Sequence, residues 1–170
     1  MGQIKSKPCK ECGSIYHTKM YHKPRKPIAS STVRKKRTVA KPAKKKAPSR
    51  SKVVKELDDI FSKFIRLRDD GKGCVTCGVV KSWKEMQACH YYTRGRLPTR
   101  WHEDNVFSGC YRCNVLLKGN YTEYAIFMVN KFGIEYVEEL KALSLSNVKI
   151  PTHELRELTE VYKKKVAELL

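Results

Sequence analysis

Six of the seven cysteines fall in Cys-x-x-Cys pairs: Cys9/Cys12, Cys74/Cys77 and Cys110/Cys113. Thiols paired in this way, in a chain with no recognisable export signal, read as metal ligands or a redox dithiol and not as disulfides. Cys74-x2-Cys77 and Cys110-x2-Cys113 are separated by 32 residues. Each short turn presents two sulfurs at one point, and four thiolates suit a tetrahedral zinc ion. Such a site replaces part of a hydrophobic core and ties the two ends of its segment together. The absence of a thioredoxin-like βαβ pattern argues against the redox reading. Gly78 follows the first pair, as a tight knuckle turn requires.

A closed four-thiolate site performs no chemistry of its own. Catalytic groups must therefore be sought between and just after its ligands, in QACHYYTRGRLPTRWHEDNVFSGCYRCNVLLKGN. The odd cysteine, Cys89, stands here directly against His90. Asn105 lies five residues before Cys110, and Asn114 follows Cys113 at once. Arg94, Arg96, Arg100, Arg112 and Lys118 are interleaved. A second Cys/His set, Cys9-x2-Cys12-x4-His17-x4-His22, opens the chain. Its spacing resembles a retroviral-type zinc knuckle with His in the last place, and a second zinc ion is expected there. The competing reading is that His17 and His22 are unrelated histidines of a basic segment.

Cys-x2-Cys, then His, then Asn, then Cys-x2-Cys-Asn resembles the HNH (His-Me finger, ββα-metal) nucleases in their zinc-bearing form, whose final His is often Asn. More narrowly, ACHYYTRG, RWHEDNV, CYRCN and LKGNYTEY resemble the phage NinG/Rap family of recombination endonucleases, which act on branched DNA. The resemblance is close over residues 72–140 and loose over 141–170. It implies an α+β fold: a small zinc-stabilised ββα-metal, treble-clef-like core flanked by helices. It also implies an endodeoxyribonuclease cutting branched intermediates such as Holliday junctions or D-loops during phage recombination, in the cytoplasm of a bacterial host.

The chemistry accounts for the residue types. Phosphodiester hydrolysis needs an activated water, a metal to neutralise phosphate charge and cationic support for the transition state. On the family's pattern His90 is the general base, since a neutral imidazole can take a proton from water near pH 7. Asn105 fixes the loop that carries the base. Asn114, expected to open the helix after the second knuckle, offers an amide oxygen to Mg²⁺ or Mn²⁺. Arg94 grips the scissile phosphate, and Arg96, Arg100, Arg112 and Lys118 hold neighbouring ones. One position departs from the pattern. Many HNH nucleases carry a metal-binding Asp directly before the base; here that residue is Cys89, and a thiol suits Mg²⁺ poorly. His102, Glu103 or Asp104 could contribute instead. The other functional class open to the sequence is a non-catalytic zinc protein that binds nucleic acid. Such a module would need no histidine at position 90 and no amide after Cys113.

These groups must be held by a small number of elements. Val53, Leu57, Ile60, Phe61, Phe64 and Leu67 follow a helical period over residues 52–71, with Ser51 as N-cap and Gly71 as stop, and this face is expected to pack on the zinc core. Residues 72–145 are read as the nuclease domain: short strand-like pieces, then a helix opened by the capping-box-like Asn120-Tyr-Thr-Glu123 and running toward Gly133, then a second helix over 134–144. Trp83 and Trp101 are expected in the core, and Tyr91 and Tyr92 to divide, one packed and one facing solvent or DNA. Residues 146–170 form a C-terminal helix whose stripe of Leu155, Leu158, Tyr162, Val166 and Leu169 serves as core or as a homodimer contact.

The charge is concentrated elsewhere. The chain carries +19, yet residues 1–55 hold 18 Lys and Arg against the single acid Glu11, and residues 56–170 hold 18 against 16 acids. The stretch 23–51 mixes Lys and Arg with Pro, Ser and Ala, cannot bury a core and reads as a disordered linker. Its Arg34, Lys35, Lys36, Arg37, Lys44, Lys45 and Lys46 form an electrostatic footprint for polyphosphate, DNA or RNA. It lacks the apolar face that a membrane helix needs, and no run in the chain is apolar enough to span a bilayer. The charge points to nucleic acid, and the family resemblance implies DNA as the partner, with no membrane and no small-molecule substrate.

Overall fold

A computed structural model of the protein describes residues 47–170. The second Cys/His set and the basic stretch at Arg34–Arg37 and Lys44–Lys46 lie outside the described residues. The described elements run α1 (Arg50–Arg68), β1 (Gln87–His90), β2 (Val106–Gly109), α2 (Tyr121–Phe132), α3 (Ile134–Leu145) and α4 (Thr152–Glu168). Short 3-10 turns at Leu97–Thr99 and Glu103–Asn105, and a π-helical turn at Arg112–Leu116, lie between them. The fold is thus helix-rich, with one small antiparallel sheet.

Helix α1 buries Val53, Leu57, Phe61, Phe64 and Ile65, the 3.6-residue stripe legible in the sequence. Ser49 and not Ser51 stands at its N-cap, with no side-chain cap bond, and the helix ends at Arg68 ahead of Gly71. Its main partner also differs from expectation. The stripe packs chiefly on α4, where Leu155, Tyr162 and Val166 are buried against it, with Trp101 and Val106 closing the core. Phe61 meets Tyr162 edge-on at 4.8 Å between ring centroids, and Phe64 lies 5.2 Å from the same ring. Fully burying each such side chain contributes about 1.5–3 kcal/mol, so α1 and α4 hold each other although 83 residues of chain lie between them. Most of the C-terminal stripe, Leu155, Leu158, Tyr162 and Val166, therefore packs inside the domain, while Leu169 stays exposed.

The hairpin pairs Ala88 with Ser108, Cys89 with Phe107 and His90 with Val106. Successive residues of a strand point to opposite faces. Ala88 and Val106 accordingly pack on the α1/α4 core, while Cys89 and Phe107 enter a second core with Tyr124, Met128, Val137 and Leu140 from α2 and α3. The sheet is a partition between two cores. It is pinned on the α2 side by Tyr124, whose hydroxyl donates to the Cys89 carbonyl at 2.8 Å. Gly109 is required at the strand end, because a Cβ there would lie 2.9 Å from that of Cys89.

At the start of α2, Asn120 takes a left-handed conformation (φ 47°, ψ 56°) and makes no side-chain cap bond, so the expected capping box does not form. Asn tolerates that conformation better than most residues. Among the described residues, no helix is long and apolar enough to cross a membrane.

Candidate active site and four-cysteine cluster

The two knuckle turns bring Cys74, Cys77, Cys110 and Cys113 together, with all four sulfurs within 4.8 Å of one another. Cys77 and Cys110 sulfurs are 3.8 Å apart. A zinc ion with Zn–S bonds of about 2.3 Å places tetrahedral sulfurs about 3.8 Å apart, so the cluster could hold a structural zinc. Gly78 turns the first knuckle at φ +72°. The backbone N–H groups of Cys110 and Cys113 donate to the Cys74 and Cys110 sulfurs at 3.3 and 3.5 Å, hydrogen bonds that favour thiolates.

Beside the cluster, an open cavity of about 540 Å³ is lined by Asp58 and Ser62 of α1, His90 of β1, Arg94, Asn114, Lys118 and Tyr121, among others. His90, Arg94, Asn114 and Lys118 are thereby brought to one place from four positions in the chain. His90 reaches it because it shares the sheet face of Ala88. Its Nε2 lies 3.1 Å from the Arg100 carbonyl. A carbonyl only accepts, so Nε2 carries the hydrogen and Nδ1 is left as the ring's proton acceptor. Burial lowers the imidazole's pKa below its ordinary value, outweighing the carbonyl bond that favours the charged form.

Cys89 points the other way. It is 1 % exposed in the second core, and burial pushes its thiol up to about 12, with neighbouring cluster thiols acting in the same sense. It is packing, not a ligand to a cation in the cavity.

Asn105 is fully buried. Its Oδ1 accepts from the Tyr92 N–H at 2.7 Å, and its Nδ2 donates to the carbonyls of Tyr92 and Thr99 at 2.9 Å each. It clamps the loop between the strands at both ends without touching the cavity, and so acts as a positioning residue. Asn114 lies within the π-helical turn Arg112–Leu116 that starts inside the second knuckle. Its Nδ2 donates to Gln87 Oε1 at 2.7 Å, which leaves the amide oxygen as its free acceptor.

Several expectations need correction. Arg100 does not face a phosphate site: its guanidinium is turned inward onto Asp58, donating from Nε at 2.9 Å and pairing through Nη2. Trp101 Nε1 donates to the same carboxylate at 2.9 Å. The Asp58 carboxylate is thus held by the Arg100 fork and by the Trp101 indole, and it anchors the residue whose carbonyl orients His90. Glu103 accepts from Tyr162 and Lys165, and Asp104 accepts from the Tyr136 hydroxyl at 2.7 Å. Neither these two nor His102 lines the cavity, so they are not available to a cation there. Tyr91 and Tyr92 are both half-buried and meet edge-on at 4.7 Å, instead of dividing between core and solvent. Arg94, Arg96, Arg112 and Lys118 are exposed, and among the described residues none pairs with a carboxylate.

Sequence reasoning missed Asp58, Arg68 and Asp69. Arg68 donates to the carbonyls of Glu103 and Val106 at 3.0 and 2.9 Å and pairs with buried Asp69, which accepts from the Ser108 N–H. These contacts bolt the end of α1 to β2. The available signal was the presence of acids beside a buried helical stripe, at Leu57-Asp58 and Arg68-Asp69, where a charge needs a partner.

Comparison with known proteins agrees on one family. The family model "Bacteriophage Lambda NinG protein" matches residues 19–170. The "Protein ninG" of Escherichia phage 933W is 30 % identical over 121 residues, covering 71 % of this chain and 59 % of that protein. The "Protein ninG" of Escherichia phage lambda is 32 % identical over 94 residues, covering 55 % of this chain and 46 % of that protein. The chain thus spans roughly half to three-fifths of the length of these curated relatives. No solved structure matches. With nine-tenths of its residues under a single family model, the chain belongs to the NinG family of phage proteins.

Proposed function

We propose that the protein is a metal-dependent DNA endonuclease of the HNH, ββα-metal type that hydrolyses phosphodiester bonds in branched DNA. The observation that carries this reading is the setting of His90: a half-buried imidazole whose pKa burial lowers, tied at Nε2 to a backbone carbonyl, in a cavity that also holds Asn114, Arg94 and Lys118. Its Nδ1 has no hydrogen-bond partner among the described residues and so is available as a proton acceptor.

In the proposed reaction His90 Nδ1 takes the proton of the attacking water, and the Arg100 carbonyl stabilises the imidazolium that results. Arg94 and Lys118 supply positive charge to the phosphate as it gains negative charge in the transition state. Asn114 offers one hard oxygen donor, which fits Mg²⁺ or Mn²⁺, ions that keep several waters and bind through few protein ligands plus the substrate phosphate. When bound, such an ion supplies charge neutralisation at the phosphate. Asp58 fits that role poorly, because Arg100 and Trp101 already engage its carboxylate. Preference for branched DNA, action in recombination and a cytoplasmic setting in a bacterial host follow the family likeness. Cleavage of four-way junctions against linear duplex, with Mg²⁺ or Mn²⁺ and with His90→Ala as the control, tests the reading.

A further inference from the structure

Trp83, in the segment between the first cysteine pair and β1, is half-buried and surrounded by cations. Arg66 lies 5.5 Å from its ring centroid, Lys84 Nζ 5.7 Å and Lys63 Nζ 6.0 Å. Among the described residues, none of the three forms a salt bridge with a carboxylate. Of the acids near them in sequence, Asp59 and Glu85 form no salt bridge with these cations. Asp70 Oδ1 accepts the Trp83 backbone N–H at 3.1 Å and so holds the turn. Glu56 pairs with Lys163, and Asp59 lies with Lys63 along a shallow groove of α1. Arg66 donates from Nε to the Ser62 carbonyl at 3.1 Å, and burial lowers its pKa below the ordinary guanidinium value. Three cations, with Lys63 and Arg66 half-buried, thus share one indole without a carboxylate partner, an arrangement that an anion entering among them would relieve. The quadrupole of the indole offsets only part of the mutual repulsion.

The helix gives this cluster a direction. Asp58, Ser62 and Arg66 are spaced by four residues and so follow one line along α1, at steps of about 6 Å. Asp58 and Ser62 line the cavity that holds His90. Arg66 is the next step along the same line out of the cavity, with Trp83, Lys63 and Lys84 grouped upon it. A polyanion leaving the cavity along α1 meets this cluster within about one helical turn.

We propose that Lys63, Arg66 and Lys84, gathered on Trp83, bind the phosphate backbone of the DNA arm that runs away from the His90 cavity. The identity of the ligand as DNA rests on the function proposed above; the convergence of unpaired cations does not.

The test is equilibrium binding of the full chain to a fluorescent four-way junction in Ca²⁺ or EDTA, across a salt series. Each phosphate contact contributes about 0.9 to the slope of log K against log salt. The Lys63→Gln/Arg66→Gln/Lys84→Gln variant is expected to flatten that slope by about 2–3, with zinc content and thermal melting unchanged. Lys84→Gln alone, at an exposed turn position, is expected to flatten it by about 1 and guards against misfolding of the triple variant. An unchanged slope in Lys84→Gln, with wild type binding the junction, overturns the proposal while leaving the nuclease reading intact. Failure of the wild type to bind DNA overturns the nuclease reading itself. RNA bound with the same slope change and DNA without it would also overturn the proposal.

Discussion

Asn105→Ala tests whether the loop carrying the candidate active-site groups is held as described. The substitution strips three hydrogen bonds at once: from Tyr92 N–H to Oδ1, and from Nδ2 to the carbonyls of Tyr92 and Thr99. The Thr99 bond is fully buried, but the Thr99 carbonyl also accepts from the His102 N–H at 3.2 Å, so it keeps a partner and the loss there is about 1 kcal/mol. The two Tyr92 groups are half-buried and can recover water, so each also costs about 1 kcal/mol. The expected total is about 2–4 kcal/mol, a large part of the roughly 5–15 kcal/mol available to a domain. For a domain of this size that is a fall in melting temperature of about 8–16 °C, measured by calorimetry with zinc present. Because Tyr92 and Thr99 bracket Arg94, and Arg100 orients His90, DNA cleavage should fall as well, even well below the melting transition. Asn105→Asp should be at least as damaging at neutral pH, since it sets a carboxylate against two carbonyls, and should recover partly as the pH falls and the acid becomes a donor. A loss of under about 1 kcal/mol in Asn105→Ala, with cleavage unchanged, would refute the clamp.

Other consequences follow from the same contacts. Asp58→Asn removes the charge that fixes Arg100 and is expected to cost about 1.5–3 kcal/mol while lowering turnover more than DNA affinity; equal effects on kcat and KM would argue against a positioning role. Chelation of zinc, or Cys74→Ser, should unfold the domain, seen as loss of near-ultraviolet circular dichroism; retention of that signal would contradict a structural metal. His90 must be neutral to act, and burial lowers its pKa, so cleavage should hold below the usual imidazole range near 6.5 and decline only as pH falls through the lowered value. The same shift means that the unfolded state binds the proton more tightly, so the stability contributed above about pH 6.5 is lost as pH falls toward the folded value. A cleavage midpoint above 6.5 would contradict the assignment.

The elements were legible where one periodicity dominated. Leu57, Phe61 and Phe64 marked α1, Leu155, Tyr162 and Val166 marked α4, and the cysteine spacing marked the cluster. What the two helices pack against was not legible, because an apolar stripe specifies burial and not a partner; α1 and α4 find each other across the whole domain. The separation of Cys89 from His90 follows from strand alternation alone, yet their adjacency in sequence suggested a shared site. Arg100 misled for a related reason. A lone Arg in a basic stretch resembles a phosphate ligand, and its acceptor, Asp58, lies 42 residues away. Likewise Asn120 had the composition of a cap, but the π-helical turn before it delivers the chain to α2 in a left-handed step.

The central claim is that His90 activates water in the cavity. It is tested most directly by cleavage of a four-way junction by wild type and His90→Ala under matched Mg²⁺ and Mn²⁺ conditions, with junction affinity and zinc content measured on the same samples. The account predicts at least a 100-fold loss of cleavage, the scale at which a general base contributes, with affinity and zinc retained. Cleavage by His90→Ala at the wild-type rate would contradict it.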